Sequence, residues 1–190
     1  MSKGRLEAFS DGVMAIIITI MVLELMPPDE ATWQALLPLT PIFLSYVMSF
    51  VYVGIYWNNH HHLFQATHHV SGSVLWANMH LLFWLSLFPF ATDWMGESHF
   101  AALPVALYAA VQFCAASAYF ILTRALIAIH PKDSVLVIAL GNDLKGKISG
   151  LLSLAAIPLA FVSPWISGAI FITIAVIWFV PDSRFERRLS

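Results

Sequence analysis

Between Asp11 and Glu24 the chain carries no charge, and apart from Thr19 the segment from Val13 to Leu23 is apolar. An ionised carboxylate beside such a run is costly unless it is paired or hydrated. Arg5, Glu7, Ser10 and Asp11 crowd just before it. The stretch therefore predicts a first membrane helix with a polar network at its entrance. Comparable apolar stretches follow. Across 190 residues, 59% are hydrophobic and 11% charged, with mean hydropathy +0.79. A soluble domain carries about 25% charged residues. An all-α integral membrane protein of one domain, residues 1–190, is the reading this forces.

Helical phase sorts the first segment. At about 100° per residue, Phe9, Gly12, Ile16, Thr19, Ile20 and Leu23 form one stripe. Asp11 lies roughly 140° from Ile16, and Ser10 roughly 120° away on the other side. If the stripe faces an axis, Ser10 and Asp11 face the protein around it. Periodicity cannot establish that, because a helix apolar all round also fits the interior of a bundle.

Arg5, Phe9, Ser10 and Asp11 spell R-x-x-x-F-S-D, followed by Gly12, Ala15 and Thr19. This motif, near the amino terminus of a first membrane helix, resembles the signature of the transmembrane protein 175 family. These are lysosomal-type potassium channels, and the chain is similar to the single-repeat prokaryotic members. The resemblance implies a central pore lined by helix one. It implies a hydrophobic constriction, or gate, at Ile16, Ile20 and Leu23, with Thr19 contributing potassium selectivity. Arg5, Phe9, Ser10 and Asp11 would be a structural polar motif holding the pore helix. It also implies a homotetramer, since eukaryotic members carry two repeats per chain and pair up.

Six spans are predicted, over about 6–26, 33–57, 70–94, 99–129, 148–162 and 165–180. Pro38 and Pro41 sit where the second span begins, and Pro89 interrupts the third. Prolines are tolerated in first turns and at kinks. Residues 58–69 read as a polar linker and 131–147 as the longest soluble loop. With six spans, Lys3, Arg5, Arg124, Lys132, Lys145, Lys147, Arg184, Arg187 and Arg188 all fall on the side of both termini. The opposite loops carry Asp29, Glu30, Asp93 and Glu97. By the positive-inside rule both termini are cytoplasmic, and a bacterial inner membrane is expected. The amino terminus does not read as a cleavable signal peptide: its apolar run is long and Asp11 comes early. Headgroup attraction accounts for the basic tail around Arg187.

Partners for the Asp11 cluster are expected on other helices or subunits, because Arg5 and Asp11 do not share a helix face. The candidates are Trp57, His60, His61, His62, Asn78 and His80. His60, His61, His62, His68 and His69 also invite a metal hypothesis. The group lacks nearby Asp, Glu or Cys, so hydrogen bonding to helix ends is preferred and no metal is expected. Cys114 is alone, so no intramolecular disulfide can form. Glu24, Asp29 and Glu30 either raise cation concentration at an outer mouth or merely mark an acidic loop. No T-V-G-Y-G occurs, which excludes a carbonyl filter of the usual kind. Rings of Ile16, Ile20 and Leu23 would instead gate by dewetting.

The expectation is a potassium-permeable channel subunit, a six-helix bundle conducting K+ passively, with no catalytic residues and no cofactor. Its partners are further copies of itself, membrane lipid and potassium ions, with no nucleic acid. A secondary transporter or proton-permeable carrier is the alternative, and a histidine-cluster membrane metalloenzyme ranks behind it. The halves 1–95 and 96–190 show no inverted repeat, which speaks against a repeat-built transporter.

Overall fold

The computed structural model describes residues 2–67, 69–131, 134, 137 and 143–179. The fold over these residues is helical. Helix α1 spans Lys3–Leu23. A short turn of helix at Trp33–Leu36 and a 3-10 turn at Leu37–Leu39 lead into α2, Thr40–Gln65. Helices α3, Gly72–Leu85, and α4, Phe88–Glu97, are two halves of one span. Helix α5 is Ala102–Ala128, α6 is Leu144–Val162, and α7 is Pro164–Phe179. Among the described residues five spans are long and apolar enough to cross a membrane, and α7 is a shorter apolar helix. The chain is thus a multi-pass membrane protein.

The prolines fix the interruptions. Pro38 falls in the 3-10 turn, and Pro41 occupies the first turn of α2, where its missing N–H has no partner to lose. Pro89 likewise enters the first turn of α4. The third span therefore breaks just before it, at Ser86–Leu87, rather than at the proline itself. Thr32 and Ser71 cap the helices that follow them through their hydroxyls.

On α2 and α6 much of the inward face is small or polar, whereas α1 and α3 bury large apolar residues such as Leu6, Met14, Ile17, Leu81 and Leu85. On α2 the inward face includes Ser45, Ser49, Tyr52 and His60, each at most 2% exposed, together with Val53, Leu63 and Phe64, while Phe43, Leu44, Val47 and Phe50 are exposed. On α6, Ser149, Ser153, Ala156 and Ala160 face in, and Leu151, Leu154 and Phe161 face out. This is membrane logic. Lipid tails are as apolar as leucine, so close packing and interhelical hydrogen bonds decide which face goes inside. Ala109, Ala115 and Ala118 on α5 are fully buried, and Ser167 of α7 donates to the Ala156 carbonyl at 2.7 Å. Trp76, Phe83 and Phe90 are exposed, but Phe88 is buried against Tyr56 and Tyr108.

One sequence expectation fails here. Residues 58–65 are not a linker. They are the last two turns of α2, and they place His60, His61 and His62 on a helix. Polar composition suggested a loop, but no proline or glycine interrupts the segment, and Asn59 satisfies its amide on the Ile55 carbonyl at 2.8 Å. The expected positions His68 and 180, and the tail residues Arg184, Arg187 and Arg188, lie outside the described residues, as do Lys132 and Asp133.

Candidate functional site

Helix α1 packs on α2, α3 and α4. Its buried residues are Leu6, Ser10, Met14, Ile17 and Met21, spaced three or four apart. The opposite stripe is left uncovered by the chain's own fold: Phe9 is 48% exposed, Ile16 58%, Ile20 40% and Leu23 73%. Gly12 and Thr19 lie on the same open side, and a methyl group placed on Gly12 would meet nothing within 4 Å. Thr19 donates its hydroxyl proton to the Ile16 carbonyl at 2.9 Å. Both lone pairs of that oxygen therefore remain for a group approaching from outside the helix.

Behind the stripe a directional hydrogen-bond chain locks α1 to its neighbours. Ser10 is fully buried and donates to the Leu6 carbonyl at 2.9 Å. Its proton is thus committed, so it accepts from Asn78 Nδ2 on α3 at 2.9 Å. That fixes the Asn78 amide orientation. Asn78 Oδ1 then accepts from His60 Nε2 of α2 at 2.8 Å, which places the proton of the neutral ring on Nε2. Asn78 is fully buried and His60 is 1% exposed. Three helices meet at this chain.

Asp11 lies at the margin of the network. It is exposed, and Trp57 Nε1 of α2 donates to its Oδ1 at 3.1 Å. The Trp57 ring stacks on His61 with centroids 6.1 Å apart. At the same end, Lys3 Nζ approaches the Gln65 carbonyl at 3.5 Å, tying the start of α1 to the end of α2.

Other expected partners are not brought in. His80 is exposed on α3 and accepts from Trp84 Nε1 one turn away, at 2.9 Å. Three residues separate the two, so they share a helix face that points away from Ser10. Arg5 is exposed, and among the described residues no side chain pairs with it. The histidines do not converge either. Consecutive positions on a helix diverge by about 100°, so His60 points in while His61 points out. Among the described residues no three His, Cys, Asp or Glu side chains are grouped as metal ligands.

A second polar layer was not anticipated. Thr92 of α4 donates to Ser49 Oγ at 2.6 Å, and Ser49 bonds the Tyr108 hydroxyl of α5 at 3.0 Å. The Tyr52 hydroxyl bonds the Phe171 carbonyl of α7. The signal lay in the sequence as Ser45, Ser49, Tyr52, Tyr56 and His60, polar residues at helical spacing inside an apolar run.

Comparison with known proteins adds the following. The family profile described as endosomal/lysosomal potassium channel TMEM175 matches residues 5–89. A potassium channel of Chryseobacterium sp. (strain P1-3) is 52% identical over 190 residues, which is 100% of this chain and 99% of that one. The endosomal/lysosomal proton channel TMEM175 of Homo sapiens is 41% identical over 76 residues, spanning 34% of this chain and 15% of its own. The crystal structure of a lysosomal potassium-selective channel TMEM175 homolog from Chamaesiphon minutus superposes with a TM-score of 0.81 at 28% identity. That match covers 95% of this chain and 97% of the other.

Proposed function

The chain belongs to the TMEM175 family of potassium channels, and we propose that it is a channel subunit passing K+ through a pore lined by α1. The observation that carries this is the uncovered stripe of Phe9, Gly12, Ile16, Thr19, Ile20 and Leu23 opposite a tightly packed face. In a single membrane helix an exposed apolar stripe is unremarkable. Here the stripe bears the one side-chain oxygen of the Val13–Leu23 run, on Thr19, and its other side is pinned through Ser10, Asn78 and His60. Copies arranged as a homotetramer would turn the stripe toward a common axis. Ile16, Ile20 and Leu23 would then form narrow apolar rings that conduct only when wetted.

Thr19 supplies hydroxyl oxygens to a partly dehydrated ion in this reading. One such layer among apolar rings predicts moderate discrimination. Arg5, Phe9, Ser10 and Asp11 hold the helix, with Trp57, His60, His61 and Asn78 as partners. Both termini face the cytoplasm of a bacterial inner membrane, since Lys3, Arg5, Arg124, Lys145 and Lys147 share one side. Passive ion flow needs no enzymatic step and no cofactor, and lipid surrounds the outward face.

The test is potassium flux into liposomes holding purified protein, with Ile16→Asn and Thr19→Ala compared to wild type. A polar ring at Ile16 wets the constriction and raises flux, and loss of the Thr19 hydroxyl lowers the preference for potassium over sodium. Proton uptake measured in the same vesicles separates the alternative suggested by the names of the animal relatives. A wild type that passes no ion, with neither substitution mattering, rejects the pore reading.

A further inference from the structure

The chain of Ser10, Asn78 and His60 pins the first part of α1, and Ile16, Ile20 and Leu23 lie further along the helix. Among the described residues, the side chains of residues 12–23 meet one hydrogen-bonding group of another helix. It is the Thr92 hydroxyl of α4, whose oxygen stands 3.9 Å from Met21 Sδ. Both side chains are buried. Beside them lies a void of about 10 Å³, bounded also by Ile42, Ser45 and Pro89, at the lower limit for one water. Methionine is unbranched and turns about three bonds. With space next to it, close packing does not by itself fix where the thioether sits, and the polar contact decides.

Thr92 is itself held from behind. Its oxygen lies 2.6 Å from Ser49 Oγ of α2, and Ser49 Oγ lies 3.0 Å from the Tyr108 hydroxyl of α5. Thr92 has one proton and sulfur is a weak acceptor, so the bond to Ser49 is the stronger of the two claims on it. That bond fixes the threonine rotamer, and the fixed hydroxyl meets the thioether. Met21 is on the side of α1 turned away from the stripe, about 1.5 Å along the axis from Ile20 and about 3 Å from Leu23. A stiff helix carries a displacement of Met21 to both. We propose that Thr92, backed by Ser49 and Tyr108, is a positioning residue that acts through Met21 to set how far Ile20 and Leu23 reach into the pore, on the reading that α1 lines that pore. Copies face one another across the axis, so a displacement of α1 counts twice in the width of the opening.

The test compares potassium and sodium flux through the purified, assembled channel in liposomes for Thr92→Val, Thr92→Ser, Met21→Leu and Ser167→Ala. Valine keeps the branched shape and removes the hydroxyl, and serine keeps the hydroxyl. Met21→Leu removes the sulfur and leaves Thr92, Ser49 and Tyr108 as they are, so it carries the test if Thr92→Val does not assemble. Ser167→Ala deletes a buried hydroxyl bond between α7 and α6 and serves as the control for plain loss of stability. Thr92→Val and Met21→Leu each raise potassium flux at least threefold and lower the preference for potassium over sodium at least twofold. Thr92→Ser and Ser167→Ala leave both as in wild type. A second readout needs no conduction: nitroxide labels at Leu23→Cys in a Cys114→Ala background, whose dipolar broadening reports the spacing between copies. Thr92→Val and Met21→Leu change that broadening, and Thr92→Ser restores it. If wild type passes no ion but the broadening responds in this way, the pore reading fails and the positioning of Leu23 by Thr92 stands. If Ile16→Asn raises flux while Thr92→Val and Met21→Leu leave flux and broadening unchanged, the pore reading stands and the positioning role is overturned. Unchanged broadening in a silent channel, failure of serine to restore, or an equal effect of Ser167→Ala overturns it as well.

Discussion

Replacing Asn78 with leucine tests whether the α1 anchor is a connected chain or a set of incidental contacts. The side chains share heavy-atom count and branching, with leucine the bulkier, so the change removes hydrogen bonds without opening a void. Two bonds vanish, to Ser10 Oγ at 2.9 Å and from His60 Nε2 at 2.8 Å. Their consequences differ. Ser10 keeps its bond to the Leu6 carbonyl and loses only an incoming donor. Interhelical bonds of that kind in membrane proteins average about 0.6 kcal/mol. His60, 1% exposed, is left with an orphaned ring N–H, which costs about 1–3 kcal/mol. The sum is about 2–4 kcal/mol, most of it from the histidine side. Unfolding in mixed micelles, followed by tryptophan fluorescence, measures the loss. A double-mutant cycle with Ser10→Ala should give a coupling near 0.6 kcal/mol and no more than about 1.7. If Asn78→Leu lies within about 0.5 kcal/mol of wild type, or the coupling is zero, the reasoning is refuted: α1 would then be held by packing alone.

Gly96→Ala should destabilise by about 1–3 kcal/mol. Its new methyl would lie 2.6 Å from Ser45 Oγ and 2.7 Å from the Ile42 Cα, so α2 and α4 must separate; Gly168→Ala meets nothing within 4 Å and should stay within about 0.5 kcal/mol in the same unfolding assay. Trp57→Phe removes an exposed bond to Asp11 and should cost the subunit less than about 1 kcal/mol. If the proposed assembly covers this exposed pair, the oligomeric fraction measured by light scattering should fall before subunit stability does. Unchanged assembly with a large loss of subunit stability would reverse that assignment.

Much of the site was legible because charge is scarce in this chain. Asp11 beside an uncharged run demanded explanation from sequence alone, and so did the polar Trp57–His62 segment. What that segment does was not legible. Histidine and asparagine are neither strong helix formers nor breakers, so composition suggested a linker where α2 continues. His80 looked as eligible as Asn78, because both are polar residues in one apolar span. Two residues apart on a helix they point roughly 160° from each other, and only Asn78 meets Ser10.

The sequence alone was enough for the approximate limits of most apolar helices, the proline interruptions, and the grouping of Phe9, Gly12, Ile16, Thr19, Ile20 and Leu23 on one side of α1, though not for the direction in which that side faces. These follow from run lengths and from residues that water or lipid treats very differently. The tertiary structure alone decided which face of each helix is inside. A helix apolar all round has no preferred direction when the solvent is itself apolar, so the choice falls to shape and to a few hydroxyls and amides that must find each other. Ser10 could pair with Asn78, and Ser49 with Thr92 and Tyr108, only once the helices were set at definite angles.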